Sequence, residues 1–216
     1  LWLVGASPSE IRKSPFISER VAKVKEFRSN STKEATKRSA DTPSLFQEVR
    51  QPSTNYILVP RHSSENRRYI PLGFVSPEII VNDAVQIIPD ADLYLFGILT
   101  SNVHMAWVKA VCGRIKSDFR YSKDIVYNNF PFPVPSDEQR QCIEHTAQAI
   151  LNARAVYPDS SLADLYDELT MPPDLRKAHQ QNDFAVMSAY GFSRTITESG
   201  CVAELMKLYK KILDKI

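Results

Sequence analysis

Glycine is scarce in this chain, and its residues are widely spaced. The 216 residues include six glycines, at positions 5, 73, 97, 113, 191 and 200, and no two of them stand two apart. A Gly-x-Gly turn, which cradles the phosphates of nucleotide cofactors, is therefore missing. The chain also has no Gly-Lys-Ser/Thr, His-Glu-x-x-His or Gly-x-Ser-x-Gly sequence. We expect it to contain no catalytic, cofactor-binding or metal site of its own.

Cysteine and long apolar runs are scarce as well. The three cysteines, Cys112, Cys142 and Cys201, are odd in number and far apart, which excludes a disulfide framework and a Cys-x-x-Cys metal site. We expect buried thiols. No apolar run approaches the length of about 18 residues that spans a bilayer, and the N-terminus lacks the order of a secretory signal. These absences predict a cytoplasmic protein without a membrane partner. Because the chain begins Leu1-Trp2-Leu3-Val4 without Met, we expect a fragment of a longer polypeptide.

Charge is unevenly distributed although the net charge is only +2. Residues 1–70 contain 13 lysines and arginines against 7 acidic residues, whereas residues 134–216 contain 9 against 12. The basic N-terminal third is thus a candidate for contact with a polyanion. The alternative is that a long amphipathic helix there simply has a basic solvent face.

Secondary-structure patterns divide the chain into three parts. The sequence "SPSE" at 7–10 predicts a capped helix start, followed by a helix from about Phe16 to Asn30. Between Thr54 and about Pro89, β-branched and aromatic residues punctuated by prolines predict short strands. Helical periodicity then returns, and further helices follow a capping box at "SDEQ", residues 136–139. We predict an α+β fold with a mixed domain over residues 1–133 and a helical domain over residues 134–216.

The four histidines are scattered along the sequence. His104 stands within an apolar helical pattern, which favours a structural role, and we expect the other three at the surface.

The stretch "KSDFRYSKDIVYNNFPFP", residues 116–133, combines aromatic, basic, amide and proline residues. Amino-methyltransferases use Asn/Asp/Ser-Pro-Pro-Tyr/Phe, where the first side chain and a proline-fixed carbonyl accept hydrogen bonds from the exocyclic amine of an extruded base. Here Asn129 is followed by Phe130, so that carbonyl geometry is not fixed. We expect this stretch to be a connecting segment with a structural role, in which Phe130 and Phe132 pack inward. Direct contact with substrate is the alternative.

Three long blocks carry a family resemblance. They are "TNYILVPRHSSENRRYIPLGF", "FGILTSNVHMAWVKAVCGRIKSDFRYSKDIVYNNFPFP" and "SLADLYDELTMPPDLRKAHQQNDFAV". In this order they resemble the C-terminal portion of the MmeI-type DNA methylases, which are type IIG restriction–modification enzymes. The resemblance extends from about Leu1 to Tyr190. It implies a target recognition domain and a helical tail, preceded in the parent enzyme by a nuclease and an adenine-N6 methyltransferase.

The resemblance also implies partners and cofactors. The partners are double-stranded DNA and the methyltransferase domain of the same polypeptide. S-adenosylmethionine and Mg²⁺ would belong to the parent enzyme, with no cofactor in this fragment.

Two sets of residues suit contacts with the DNA backbone and with the bases. "RHSSENRR" lies between strand patterns and offers guanidinium and hydroxyl groups for phosphate oxygens. An ordinary solvated loop is the alternative. The predicted backbone contacts are Arg61, Ser63, Ser64, Arg67, Arg68 and Arg114.

Base readout is predicted for Lys116, Asp118 and Arg120. If this stretch is extended, the three alternate side chains leave one face, where Lys or Arg addresses guanine and Asp accepts from cytosine N4. The resemblance adds the turn at Asn82 and Asp83. An internal ion pair of Asp118 with Arg120 or Arg114 is the alternative. A second function class also stays open, namely a protein interaction module whose basic surface binds an acidic partner without distinguishing DNA sequences.

Overall fold

The first helices are set by serine caps followed by proline. In the computed structural model, which describes residues 1–214, helix α1 spans Pro8–Lys13 and belongs to a unit formed by Leu1–Gln51. The Ser7 hydroxyl accepts the N–H of Glu10, and the Glu10 carboxylate accepts the N–H of Ser7 at 2.7 Å. This reciprocal capping box satisfies donors that the first helical turn leaves free, as the sequence predicted.

Helix α2, Pro15–Ser29, ends where the sequence predicted, and α3, Glu34–Arg38, and a 3-10 turn, Ser39–Asp41, follow. Arg28 joins α2 to that turn and to the chain that follows it. Its guanidinium donates to the carbonyls of Ser39 at 2.9 Å, Thr42 at 3.0 Å and Leu45 at 2.9 Å. The apolar side of α2 is only partly covered within this unit, since Phe27 is 73% exposed.

The second unit, Pro52–Ile216, contains two small antiparallel sheets. The strands span Tyr56–Pro60 (β1), His62–Ser63 (β2), Gly73–Val75 (β3), Val85–Pro89 (β4), Gly113–Ile115 (β5) and Asp118–Arg120 (β6). The first sheet has the order β3-β1-β4, and in its central strand Tyr56, Ile57 and Val59 are buried. The second sheet has the order β2-β6-β5.

Helices account for most of the rest of this unit. They span Leu93–Leu99 (α4), Asn102–Val111 (α5), Asp137–Ala155 (α6), Leu162–Leu165 (α7), Pro173–Tyr190 (α8) and Glu198–Leu213 (α9). Ser136 and Gln139 form the predicted capping box at the start of α6, and Gly191 ends α8 in the left-handed conformation with φ 69°. The predicted α+β fold is confirmed.

Helices α4, α6 and α8 meet at Gly97. A Cβ atom there would lie 2.6 Å from Cγ2 of Ile143 and 3.2 Å from Cβ of Ala147, so glycine permits the close approach of α4 and α6. From α8, Asn182 donates its amide to the Gly97 carbonyl at 2.8 Å. Helices on both sides of residue 134 therefore share one core. The division at 133/134 stays a prediction.

Two expectations about single residues were wrong. His179 is buried rather than at the surface, because its ring stacks on Tyr69 with centroids 4.2 Å apart. Cys142 is exposed rather than buried, whereas Cys201 is buried. Both lie on helices, and which face of a helix meets the core is decided by packing partners distant in sequence. Within residues 1–214, no helix combines the length and the apolar character needed to cross a membrane.

Candidate nucleic-acid interface

The sheet β2-β6-β5 separates its side chains into two faces. His62 pairs with Arg120 and Ser63 pairs with Phe119 across β2 and β6. Successive residues of a strand point to opposite faces, and Phe119 is buried while Asp118 and Arg120 are exposed. The outward face of β6 therefore presents a carboxylate and a guanidinium two residues apart.

Lys116 does not share that face as a strand residue. Ile115 pairs with Asp118, so Lys116 and Ser117 form the two-residue turn of the β5–β6 hairpin. Lys116 has φ 55°, a left-handed conformation that tight hairpin turns require. The expectation that three alternate side chains leave one extended face is correct for Asp118 and Arg120 only. The alternation stops at the turn, and Lys116 lies exposed at its tip.

Asp118 joins the hairpin to the arginine loop, residues 61–68. Its carboxylate accepts the backbone N–H of Glu65 at 3.2 Å. Within the described part of the chain, Asp118 forms no ion pair with Arg120 or Arg114, so the structure does not contain the alternative pairing considered from the sequence.

Arg114 lies on the face opposite to Arg120, because it pairs with Phe119 across β5 and β6. Its guanidinium lies 4.4 Å from the centroid of the Phe119 ring and donates to the Ser117 carbonyl at 2.7 Å. Glu65 Oε2 is 3.8 Å from its Nη1. Arg114 thus supports the hairpin turn from beneath.

The three arginines of the arginine loop differ in exposure. Arg61 and Arg68 are exposed and Arg67 is half-buried. The backbone carbonyl of Ser64 accepts the N–H of Arg67 at 3.2 Å, which fixes a turn within the loop.

Ser63 differs from the prediction: it is only 4% exposed, and its hydroxyl has no hydrogen-bond partner among the described residues. Such a position places it beneath the surface, away from a phosphate backbone, since β2 points it to the same side as Phe119.

The backbone of Arg61 brings the predicted segments together. Its N–H donates to the Ala84 carbonyl at 3.0 Å, and its carbonyl accepts the N–H of Tyr121 at 2.8 Å. The first bond places the loop beside the turn at Asn82 and Asp83, and the second places it beside the end of β6. Asn82 itself accepts the N–H of Ala84 at 2.9 Å. Three segments separated in sequence therefore form one continuous patch.

His62 is a further member of this patch that the sequence did not single out. It is exposed and directly opposite Arg120, and opposed residues of an antiparallel pair place their side chains on the same face. The pairing register that creates this neighbour is a long-range contact, and no local sequence pattern encodes it.

The end of the 116–133 stretch is architectural. The Asn129 amide donates to the carbonyls of Asp124 at 2.7 Å and Ile125 at 3.2 Å, across a π-helical turn at Lys123–Tyr127. Phe130 is buried edge-on to His104, with centroids 4.6 Å apart. Phe132 is more exposed than expected, at 36%.

Buried polar groups under the patch are held neutral. Burial lowers the pKa of His104 to about 3, so its imidazole is uncharged near neutral pH. Its Nε2 lies 3.0 Å from the Tyr121 hydroxyl, whose pKa is raised by burial. Neither group reaches the exposed patch. Among the described residues, no group of three or more His, Cys, Asp or Glu side chains is arranged to hold a metal ion.

The exposed patch consists of hydrogen-bonding and cationic side chains carried on backbone that is fixed by strand pairing. A surface of this kind defines a recognition module, which contacts its partner through side chains held by a rigid scaffold.

Family models place the module in a particular family. The MmeI target recognition domain matches residues 1–134, and the MmeI C-terminal domain matches residues 134–216. The chain belongs to this family, which confirms the resemblance inferred from the sequence.

Two relatives are much longer than this chain. DNA methyltransferase A of Bacillus subtilis (strain 168) is 40% identical over 216 residues, covering 100% of this chain and 24% of that protein. The solved structure of the type IIL restriction-modification enzyme MmeI in complex with DNA is 47% identical, with a TM-score of 0.92, and the match covers 99% of this chain and 29% of that one. The chain thus spans less than a third of either relative.

Proposed function

We propose that this chain recognises a specific sequence in double-stranded DNA on behalf of an adenine-N6 methyltransferase and a linked endonuclease. The observation that carries the proposal is the single patch formed by the β5–β6 hairpin, the arginine loop and the turn at Asn82 and Asp83. The relative of known structure that matches 99% of this chain is a DNA complex, which supports the same assignment.

The hairpin supplies the base readout. The major groove of B-DNA admits a two-stranded β-ribbon, and each base pair presents a distinct pattern of donors and acceptors there. Asp118 offers an acceptor for cytosine N4, Arg120 offers two donors for guanine O6 and N7, and Lys116 extends the reach at the tip of the turn. Asn82 and Asp83 read a neighbouring position from the adjoining turn.

The arginine loop supplies contacts with the phosphates. Arg61 and Arg68 are exposed beside the hairpin, and Arg67 and the Ser64 hydroxyl lie between them in sequence. Such contacts fix the register of a protein on the duplex but carry no sequence information. Arg114 contributes indirectly, because its guanidinium is occupied by Phe119, Ser117 and Glu65.

The catalytic steps belong to the remainder of a longer polypeptide. One relative is a DNA methyltransferase of which this chain covers 24%. We assign S-adenosylmethionine and Mg²⁺ to that remainder, together with the methyltransferase domain as the intramolecular partner, in a cytoplasmic type IIG enzyme.

Exchange of Asp118 tests the base readout. In the full polypeptide, Asp118→Lys replaces an acceptor for cytosine N4 by a donor for guanine, and each such contact discriminates by roughly 1–3 kcal/mol. We expect a change in the accepted base at one position of the site, about tenfold to a hundredfold in preference, with the other positions unchanged. Methylated adenines mapped across genomic DNA at single-base resolution give the measurement.

Two further variants separate readout from stability. Asp118→Asn keeps an oxygen acceptor for the Glu65 N–H while removing the charge. Asp159→Lys makes the same charge change at an exposed residue between α6 and α7, and the site should not change. An unchanged site in a destabilised Asp118→Lys protein would refute the base-reading role. Binding that ignores DNA sequence altogether would favour the protein interaction module.

A further inference from the structure

Tyr69 directly follows the arginine loop and is only 1% exposed. Its hydroxyl donates to Oδ2 of Asp183 at 2.7 Å. Its ring stacks on the imidazole of His179 with centroids 4.2 Å apart and an angle of 21° between the planes. Asp183 and His179 are one helical turn apart on α8. The end of the loop is therefore fixed, through one side chain, to a helix more than a hundred residues away in sequence.

Asp183 also fixes the start of another helix. Its Oδ1 accepts the backbone N–H of Asn102, the first residue of α5, at 2.8 Å. Only 3% of the Asp183 residue is exposed, so both of its oxygens are used within the protein. Two donors hold the Asp183 carboxylate in one orientation. The Tyr69 hydroxyl, which donates to this carboxylate, is therefore held in one position as well.

The chain beyond Tyr69 is fixed in the same way. Arg154 of α6 donates to the Leu72 carbonyl at 2.7 Å and, through Nε, to the Tyr166 hydroxyl at 2.8 Å. That hydroxyl is in turn 2.6 Å from Nε2 of His179. Helices α6 and α8 thus hold both ends of the segment 69–72. Movement of Tyr69 is restricted on both sides of the chain.

Arg68 lies between the buried Tyr69 ring and solvent. Its guanidinium carbon lies 5.9 Å from the centroid of the Tyr69 ring, while the side chain is exposed. The Tyr69 ring therefore forms a platform beneath the guanidinium. An unrestrained arginine side chain loses up to about 2 kcal/mol of rotamer entropy when it is immobilised against a phosphate.

We infer that Tyr69 and Asp183 are positioning residues of the DNA interface, which hold Arg68 in place for a backbone phosphate. The inference rests on the proposed function of the arginine loop. It assigns to the helical part of the chain a role in DNA binding, although Asp183 is buried and Tyr69 does not reach the surface patch.

The experiment removes one hydroxyl at a time from the full polypeptide. Tyr69→Phe deletes the donor to Asp183. Tyr157→Phe is a matched control, because the Tyr157 hydroxyl donates at 2.8 Å to Asp174, which lies on α8 as Asp183 does, and that bond is exposed to solvent although Tyr157 itself is half-buried. Affinity for a duplex containing the target site is measured between about 50 and 200 mM salt, the range over which released counterions dominate the salt dependence.

We expect Tyr69→Phe to weaken binding about threefold to tenfold, the effect of one lost hydrogen bond, and to lower the salt slope by up to about one unit. Tyr157→Phe should change neither quantity.

A double-mutant cycle with Arg68→Gln then distinguishes positioning from stability. If Tyr69 acts through Arg68, Tyr69→Phe has no further effect on binding once Arg68 is replaced.

The contrary outcomes are separable. Equal behaviour of Tyr69→Phe and Tyr157→Phe, or additive losses in the cycle, would overturn the positioning role and leave the phosphate contact of Arg68 intact. No change in affinity or salt slope for Arg68→Gln alone would contradict the proposed phosphate contact itself, and the inference would fall with it.

Discussion

We expect the ionisation of Asp183 to make the free energy of unfolding of the second unit depend on pH. Burial raises the pKa of this carboxyl from 3.8 to about 6, against the opposing effects of the Asn102 N–H, the Tyr69 hydroxyl and the Arg68 guanidinium. A group with a raised pKa in the folded state stabilises the fold fully below its unfolded pKa. That contribution is lost as the pH rises through the folded pKa.

The magnitude follows from the shift. About two pKa units at about 1.4 kcal/mol each give a full effect of about 3 kcal/mol. Roughly 2 kcal/mol of this falls between pH 4 and pH 7.5, because the unfolded carboxyl is already partly ionised at pH 4. Asp183→Asn removes the titration while keeping an oxygen for the Asn102 N–H. The free energy of unfolding of the variant should therefore rise, relative to the parent chain, by about 2 kcal/mol over this pH range.

Urea unfolding at several pH values gives the measurement. Trp107 is buried in α5 and reports on the second unit, and a Trp2→Phe background removes the other tryptophan. Asp174→Asn is the control, because it makes the same substitution at an exposed position of the same helix. Parallel pH curves for the parent chain and Asp183→Asn would refute the reasoning.

Two further variants test the packing at Gly97 and the role of Arg67. Gly97→Ala places a Cβ atom 2.6 Å from Ile143 and should destabilise the chain by about 1–3 kcal/mol in urea unfolding, despite the better helix propensity of alanine. Gly113→Ala, where nothing lies within 4 Å of the added atom, should not show this overpacking; equal losses would contradict the close-packing argument. Arg67→Gln should weaken binding to all duplexes alike and lower the salt slope by about one unit; a relaxed target sequence with an unchanged slope would mean that Arg67 reads bases.

Local signals in the sequence predicted local structure. The capping boxes at Ser7 and Ser136 depend on residues three apart, so their outcome was determined by the sequence nearby. The end of α2 near Asn30 was predicted for the same reason. The arginine loop and the residues of the β5–β6 hairpin were singled out by their residue types, whereas the turn at Asn82 and Asp83 came from the family resemblance.

The arrangement of those segments was not predictable in the same way. Arg61 contacts Ala84 and Tyr121, and His62 stands opposite Arg120, through pairings that join residues far apart in sequence. The turn at Lys116 was missed because the sequence around it also fits a continuous strand. The burial of His179 depends on Tyr69, more than a hundred residues away.

The period of two along β6 separates the two residues that we propose to read bases from the residue that anchors the hairpin in the core. Asp118 and Arg120 project outward, while Phe119 between them is buried beneath Arg114. Substitutions at 118 and 120 therefore leave the packing of Phe119 in place, although exchange of Asp118 removes its bond to the Glu65 N–H. If the hairpin reads bases as proposed, single exchanges at the alternate, outward positions change the target preference without altering the buried position between them.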